Sequence, residues 1–352
     1  MPRVWDVPVH DSTRVRDARV AAEAAAGLAG LGGARVTAAG LVATELATNL
    51  LKHAGGGHLL VEVVTPPVPA DGRDAGGCVQ IAAVDHGRGM ADVAAAARDG
   101  FSTACSLGAG LGTCRRVADD FELHSAPGRG TVALARIGET GRRGVRPPAA
   151  AVRAGGINIP FAGAEYSGDA WVCVRSDDRV TLMLADGLGH GPEAARASTA
   201  AVEALRRSAH LPPGEALREL DRALHGTRGA AVALAQVEPR AGVLRFAGVG
   251  NIGARLREDG TWRSLLSRPG IVGVHRPTTL REEQGRWAGD RLLILHSDGL
   301  PSRWAPPSDR SLLSADPAVI AAVTVRDTSS PAGPVRDDTA VAVLAPTPPD
   351  RP

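Results

Sequence analysis

Between Gly138 and Gly156 the chain reads GETGRRGVRPPAAAVRAGG, a basic stretch rich in Pro and Gly. Neither a helix interior nor a central strand carries such a run, because Pro lacks an N–H and Gly weakens both elements. The stretch divides the 352 residues into two blocks of ordinary domain size. Residues 1–140 form the first block, 141–155 a linker and 156–346 the second block, with an unstructured tail over 347–352. A second break, Thr65–Gly77 (TPPVPADGRDAGG), separates two apolar runs and reads as an exposed hairpin insertion.

The first block predicts an Ala-rich helix over 13–30, then a second helix capped by Thr37 and running to about Ala54. Strands are expected at His58–Val64, Cys78–Val84 and Thr131–Ile137, with a helix at Thr113–Asp120. The second block carries short β-runs at Trp171–Arg175, Val180–Leu184, Ala230–Val237, Val243–Ala247, Arg291–Leu295 and Thr339–Leu344. Helices at Pro192–Ala209 and Pro213–His225 interrupt them, each with Pro suited to the first turn. The fold class is therefore α+β, with helices layered on sheet.

Lys and Arg total 40 against 38 Asp and Glu, so no single-sign field selects nucleic acid or an anionic membrane as a partner. The start MPRVWDVPVHDSTR lacks the apolar core of a signal peptide, and no apolar run reaches the ~20 residues of a membrane helix. Cys78, Cys105, Cys114 and Cys173 form no CxxC pair and read as reduced thiols. A cytoplasmic location is the expectation.

In the second helix Glu45, Asn49 and His53 recur every four residues and share a face beside the apolar stripe Val42, Leu46 and Leu50. A carboxylate and an amide one turn apart can hold hydrated Mg²⁺ and orient a nucleophile; a solvated helix face is the alternative. Val84 then runs into Asp85-His86-Gly87-Arg88-Gly89-Met90. An Asp at a strand end followed by alternating glycines lets backbone approach a flat ligand while the carboxylate accepts from an amine. Gly108-Ala109-Gly110-Leu111-Gly112 leads into a helix, whose free amides suit phosphate.

Taken in this order, ELATNLLKHA, DHGRGM, GAGLGT and the closing GRGT resemble the boxes of the GHKL ATPases over about residues 10–137. The segment STACSLGAGLGTCRRVADDFELHSAPGRGT is most similar to the serine kinases of bacterial partner-switching modules, the anti-sigma-factor and stressosome kinases. The resemblance implies a Bergerat α/β sandwich that binds ATP and Mg²⁺. It makes Asn49 the Mg²⁺ ligand and Glu45 the general base. Asp85 would hold the adenine amine, Gly87 and Gly89 would make room for the base, and Gly108, Gly110 and Gly112 would wrap the phosphates. Thr131 closes the nucleotide site. Lys52 and His53 either touch phosphate or lie on the surface.

In the second block, acidic residues stand beside strand ends: Asp169 before WVCVR, Asp186-Gly187 after VTLML, Asp298 after RLLIL, and Asp337-Asp338 before the last strand. One Asp-Gly is usually a turn. Four such places can converge on two hard cations that activate water and hold phosphoryl oxygens. GDAW, ADGLGHG, HSDGL and DDTAV resemble the SpoIIE-like branch of the metal-dependent (PPM) serine/threonine phosphatases over about 153–345. That resemblance implies an αββα sandwich with two Mn²⁺ or Mg²⁺ ions. Asp186 would bridge them, the Gly187 carbonyl would ligate one, Asp169 would bind directly or through water, and Asp298 and Asp337 would complete the charge. Asp338 is the second choice at the last position. His190 is open between structural and functional roles, and Asp177, Asp178 and Asp290 read as turn residues. Ser167 stands where the family often has glycine.

The joint expectation is a bifunctional regulator, a protein serine/threonine kinase joined to a phosphatase, acting on a STAS-type antagonist. Two rivals stand beside it: a phosphatase governed by a non-catalytic ATP-binding domain, and a non-enzymatic anti-sigma-type binding protein.

Overall fold

The computed structural model describes residues 3–65, 68–69, 76–93, 110–139, 152–329, 335 and 337–347. The first block supplies β1 (Val4–Val9), α1 (Thr13–Leu28), α2 (Gly33–Asn49), β2 (Gly57–Val64), β3 (Val68–Pro69) and β4 (Cys78–Val84), followed by α3 (Gly110–Val117), β5 (Asp120–Ala126) and β6 (Gly130–Ile137). A π-helical turn, Leu50–Ala54, continues α2. Strands β1, β2, β4, β6 and β5 form one antiparallel sheet in that order.

Alternation in these strands sorts side chains onto two faces. Leu59 and Val61 of β2, Ile81 of β4 and Ala135 of β6 meet α1 and α2, whose Ala18, Ala22, Ala25 and Ala43 let the helices lie close. Leu60, Ala82, Val84, Val132 and Leu134 point the other way. In place of water they meet the second block.

That block contains β7 (Val152–Ile159), β8 (Asp169–Ser176), β9 (Arg179–Gly187), α4 (Pro192–Ser208), α5 (Pro213–Leu224), β10 (Ala230–Glu238), β11 (Val243–Val249), β12 (Gly253–Glu258) and β13 (Thr261–Leu265). It closes with β14 (Glu283–Arg286), β15 (Leu292–His296), α6 (Pro317–Thr328) and β16 (Thr339–Pro346). One sheet runs β14-β11-β10-β9-β8-β3 and the other β13-β12-β15-β16-β7. Their inner faces enclose Leu182, Leu184, Phe246, Leu293, Leu295 and Leu344. Helices α4 and α5 cover the outside of the first sheet, and α6 covers the outside of the second.

Helix α6 explains how the blocks join. Its residues 317–326 are all buried, so it carries no polar stripe. Val319, Ile320 and Val323 share one core with Ile157, Ile294 and Val341 on one side and with the first sheet's Leu60, Val84, Val132 and Leu134 on the other. Polar contacts frame it. Arg136 donates to both Asp316 oxygens at 2.7 and 2.8 Å, and Gln80 Nε2 donates to the Gly156 carbonyl at 2.9 Å. Burial alone would raise the Asp316 carboxyl, but the Arg136 guanidinium holds it below the usual range.

Several sequence expectations change. Thr37 is not an N-cap: α2 begins at Gly33, and the Thr37 hydroxyl donates to the Gly33 carbonyl inside the first turn. Residues 152–155, read as the end of the linker, are the first half of β7, which pairs with β16. The predicted helix 113–120 starts three residues earlier and gives way to β5 at Asp120. Of the hairpin insertion, Val68–Pro69 adds a short parallel strand beside Val174–Arg175 of β8, and residues 70–75 lie outside the described residues. So do most of the linker, the tail and Cys105. Among the described residues no helix is long and apolar enough to cross a membrane.

Candidate metal centre and nucleotide site

The β8–β9 hairpin sets Asp169 directly across from Asp186. Asp169 is 1% exposed, and neither of its carboxylate oxygens has a hydrogen-bond partner among the described residues. Burial first, then the neighbouring Asp186, push its carboxyl well above the ordinary range. Asp186 is pushed up to about 7, by burial and then by Asp298, Asp337 and Asp338. The four strand ends named from the sequence thus bring five carboxylates into mutual electrostatic reach.

The surrounding backbone holds them there. Asp338 accepts from the Phe161 amide at 2.7 Å and the Gly168 amide at 2.8 Å, which ties the turn before Asp169 to the start of β16. Asp337 is exposed and, among the described residues, accepts only the adjacent Asp338 amide, at 2.8 Å. Of the two candidates at this position, Asp337 therefore keeps more of its carboxylate available. Gly187 ends β9, and its amide donates to the Gly168 carbonyl at 3.1 Å. A Cβ at Gly187 would overlap the backbone of Ala194, so α4 can sit on this turn only because the position is glycine.

Two residues that the sequence reading did not single out belong to this site. Asn251, in the turn after β11, donates to Asp298 Oδ2 at 2.7 Å. Ser297 is fully buried, and its hydroxyl accepts the Ala340 amide at 2.9 Å, joining the ends of β15 and β16. The amide-bearing Asn251 inside GVGNIG was the available signal. His190 is exposed, Asp177 sits at φ 52° in the β8–β9 turn and Asp290 lies in the turn before β15.

No three of the described His, Cys, Asp or Glu side chains are arranged to hold a metal as they stand. A carboxylate raised by burial and by neighbouring carboxylates is nevertheless a group that a hard cation satisfies. The donor set, all oxygen, fits Mg²⁺ or Mn²⁺.

In the first block Asp85 ends β4. Its Oδ1 accepts the Gly87 amide at 2.8 Å and the Thr131 amide at 3.1 Å, and among the described residues Oδ2 accepts none. Burial raises its carboxyl, and the two amides pull it back down. A Cβ at Gly130, which sits at φ 84°, would overlap the Asp85 carbonyl. The Thr131 hydroxyl bonds Ser125 at 2.9 Å. Gly89 lies against the Ala126 backbone.

Glu45 and Asn49 sit at the end of α2, where the first residue of α3 closes on them. A Cβ at Gly110 would lie 2.9 Å from Glu45 Oε2 and 3.5 Å from Asn49 Nδ2. Among the described residues Asn49 Nδ2 is buried without a hydrogen-bond partner. Gly112 is buried in α3, Lys52 and His53 are exposed, and Gly108 lies outside the described residues.

Comparison with known proteins agrees with both halves. Residues 176–346 match the family Stage II sporulation protein E (SpoIIE), and residues 9–136 match the Histidine kinase-like ATPase domain. The serine/threonine-protein kinase RsbT of Bacillus subtilis (strain 168) is 41% identical over 98 residues, 28% of this chain and 66% of that kinase's own length. A structure described as "The bacterial stressosome: a modular system that has been adapted to control secondary messenger signaling" is 32% identical, covering 55% of this chain and 99% of its own at a TM-score of 0.49. The PP2C phosphatase domain with a fragment of the regulatory domain of SpoIIE from Bacillus subtilis is 14% identical. It covers 77% of this chain and 79% of its own, with a TM-score of 0.48.

Proposed function

We propose a division of labour for this chain, which belongs to the SpoIIE family of serine/threonine phosphatases through residues 176–346 and to the histidine kinase-like ATPases through residues 9–136. The second domain hydrolyses phosphoserine or phosphothreonine on a protein. The observation that carries this is Asp169, a buried carboxylate set opposite Asp186, neither of its oxygens in a hydrogen bond among the described residues. Asp169, Asp186, Asp298, Asp337 and the Gly187 carbonyl would hold two Mg²⁺ or Mn²⁺ ions. When bound, such ions lower the pKa of a water and neutralise phosphoryl oxygens. The protein's own work is positional. Asp338 locks the Gly168 turn, Asn251 orients Asp298, and Ser297 ties two strand ends together.

The first domain binds ATP and passes its γ-phosphate to a serine or threonine. Asp85 would accept from the adenine amine with its free Oδ2. Asn49 would face Mg²⁺ and Glu45 would take the hydroxyl proton, while Gly108, Gly110 and Gly112 would surround the phosphates. Phosphoryl transfer asks mainly for positioning and charge neutralisation. The partner class is a STAS-type antagonist, as for partner-switching kinases. Incubation of the full chain with candidate STAS proteins and ATP, with and without Mn²⁺, followed by intact mass, tests both halves. A partner that neither gains nor loses 80 Da-class mass steps under any condition counts against the pair of activities.

A second reading treats ATP as a regulator of the phosphatase, and one contact favours it. His86, next to Asp85, bonds the Arg326 carbonyl in the last turn of α6 at 2.8 Å.

A further inference from the structure

We propose that Arg228 is the anchor for the substrate's phosphoryl group, an inference that rests on the phosphatase reading. The β9–β10 ladder sets Asp186 across from Ala231 and Gly187 across from Ala230. Past the last paired residues, the Leu188 amide donates to the Gly229 carbonyl at 3.0 Å. This carries the register outward and brings Arg228 beside Gly189, three residues after Asp186. A Cβ on Gly189 would lie 3.0 Å from Arg228 Nη1, so the guanidinium lies beside the turn that follows Asp186 and Gly187.

The backbone under Arg228 is held on both sides. Thr227 donates to the Leu224 carbonyl through its amide at 3.0 Å and its hydroxyl at 2.7 Å. The Gly229 amide donates back to the Thr227 hydroxyl at 3.0 Å, and Ala230 bonds Val272 at 3.1 Å. The side chain, by contrast, is exposed and has no ion pair among the described residues. Nearby Arg276 is taken up by Asp221 at 3.1 Å.

Charge explains what a free guanidinium does there. Asp169, Asp186, Asp298, Asp337 and Asp338 gather at neighbouring strand ends, so a phosphomonoester dianion approaches an acidic rim. Arg228 offsets that repulsion and can donate two parallel N–H bonds to non-bridging oxygens. In hydrolysis the water oxygen bonds to phosphorus, and the phosphorus bond to the seryl oxygen breaks. One water proton ends on the seryl oxygen, leaving hydrogen phosphate. Arg228 holds the phosphoryl oxygens through that exchange and takes no proton.

The test uses the full chain with Mn²⁺, p-nitrophenyl phosphate and a phosphoserine peptide. Arg228→Ala is expected to raise KM for both by roughly tenfold to a hundredfold, the range for charge-assisted hydrogen bonds, with a smaller fall in kcat. The inhibition constant of inorganic phosphate should rise by the same factor, and Arg228→Lys should recover part of the loss. Unchanged KM and phosphate inhibition in Arg228→Ala, with melting as in the parent, would overturn the proposal. If the parent chain turns over neither substrate, the phosphatase reading falls. Calorimetric titration of inorganic phosphate into the Mn²⁺-loaded chain then decides Arg228 by itself, since equal affinity in parent and Arg228→Ala rejects it.

Discussion

Asp186 and Asp169 are register partners across the β8–β9 ladder, so two carboxylates of one charge share a buried strand end. Such an arrangement costs stability until a cation arrives. Asp186→Asn should therefore raise the metal-free melting temperature by about 2–6 °C, the shift that one or two kcal/mol produces in a chain of this size. The same variant should lose the melting shift that Mn²⁺ gives the parent and at least about a hundredfold of its phosphatase turnover. A variant that melts lower without metal would show that the pair stabilises the bare fold.

Glu62 faces the junction of the blocks, where Gln80 Nε2 donates to it at 2.8 Å. Burial pushes its carboxyl up to about 8 from 4.5. The folded state thus keeps a proton that the unfolded chain releases above about pH 4.5. Stability from this group is complete below that point and is lost as pH rises through about 8, by at most ~1.4 kcal/mol per pH unit. Urea midpoints at pH 6 and pH 8.5 should differ more for the parent than for Glu62→Gln. Equal pH slopes in the two proteins would refute the assignment.

Asp316 does two things at once: it accepts the Ala318 amide at 2.8 Å as the N-cap of α6, and it pairs with half-buried Arg136. Removing it leaves a partly buried charge without its partner and opens a helix end. Asp316→Ala should cost about 3–5 kcal/mol in chemical unfolding, whereas Arg136→Met alongside Asp316→Asn should recover part of that loss. A loss under about 1 kcal/mol in the single variant would mean that the pair is solvated in solution.

The nucleotide loops grip the end of α6 in several places. His86 bonds the Arg326 carbonyl, Arg129 pairs with Asp327 at 2.9 Å, and buried Arg326 reaches the Gly130 carbonyl at 3.4 Å. A non-hydrolysable ATP analogue should change the Mn²⁺-dependent turnover of p-nitrophenyl phosphate by at least about twofold. His86→Ala with Arg129→Ala should erase that change while analogue binding persists. Turnover that ignores the analogue in the parent would leave the two sites uncoupled.

For the first domain, Asp85→Asn should abolish ATP binding by calorimetry. Glu45→Ala should keep binding and stop phosphate transfer to a partner protein, because a general base acts on the acceptor hydroxyl. Normal transfer by Glu45→Ala would remove that residue from the chemistry.

The candidate sites were legible because their residues sit at punctuation marks in the sequence. Asp85, Asp169, Asp186 and Asp298 each flank an apolar β-run, so the end of each run marks both a strand boundary and a candidate residue. Helix α6 was missed for the opposite reason: DPAVIAAVTVRDT has no polar stripe, and an all-apolar helix of this length cannot be told from a buried strand by period. Its only marker was Asp316-Pro317, an N-cap followed by a first-turn Pro. The β7 strand hid within a Gly-rich stretch, because Gly155 and Gly156 pack directly on Ala318 and Trp171 and leave no side chain to read. Asn251 escaped because an amide in a turn looks like turn chemistry until Asp298 is placed beside it.

The wall of α6 between two sheets also bears on how such a chain can be taken apart. Cutting at the linker would bare Val319 and Val323 on one fragment and Leu60, Val132 and Leu134 on the other, two greasy surfaces made to cover each other. Halves expressed alone should clump. The two domains are therefore held as a fixed one-to-one pair, whatever each contributes.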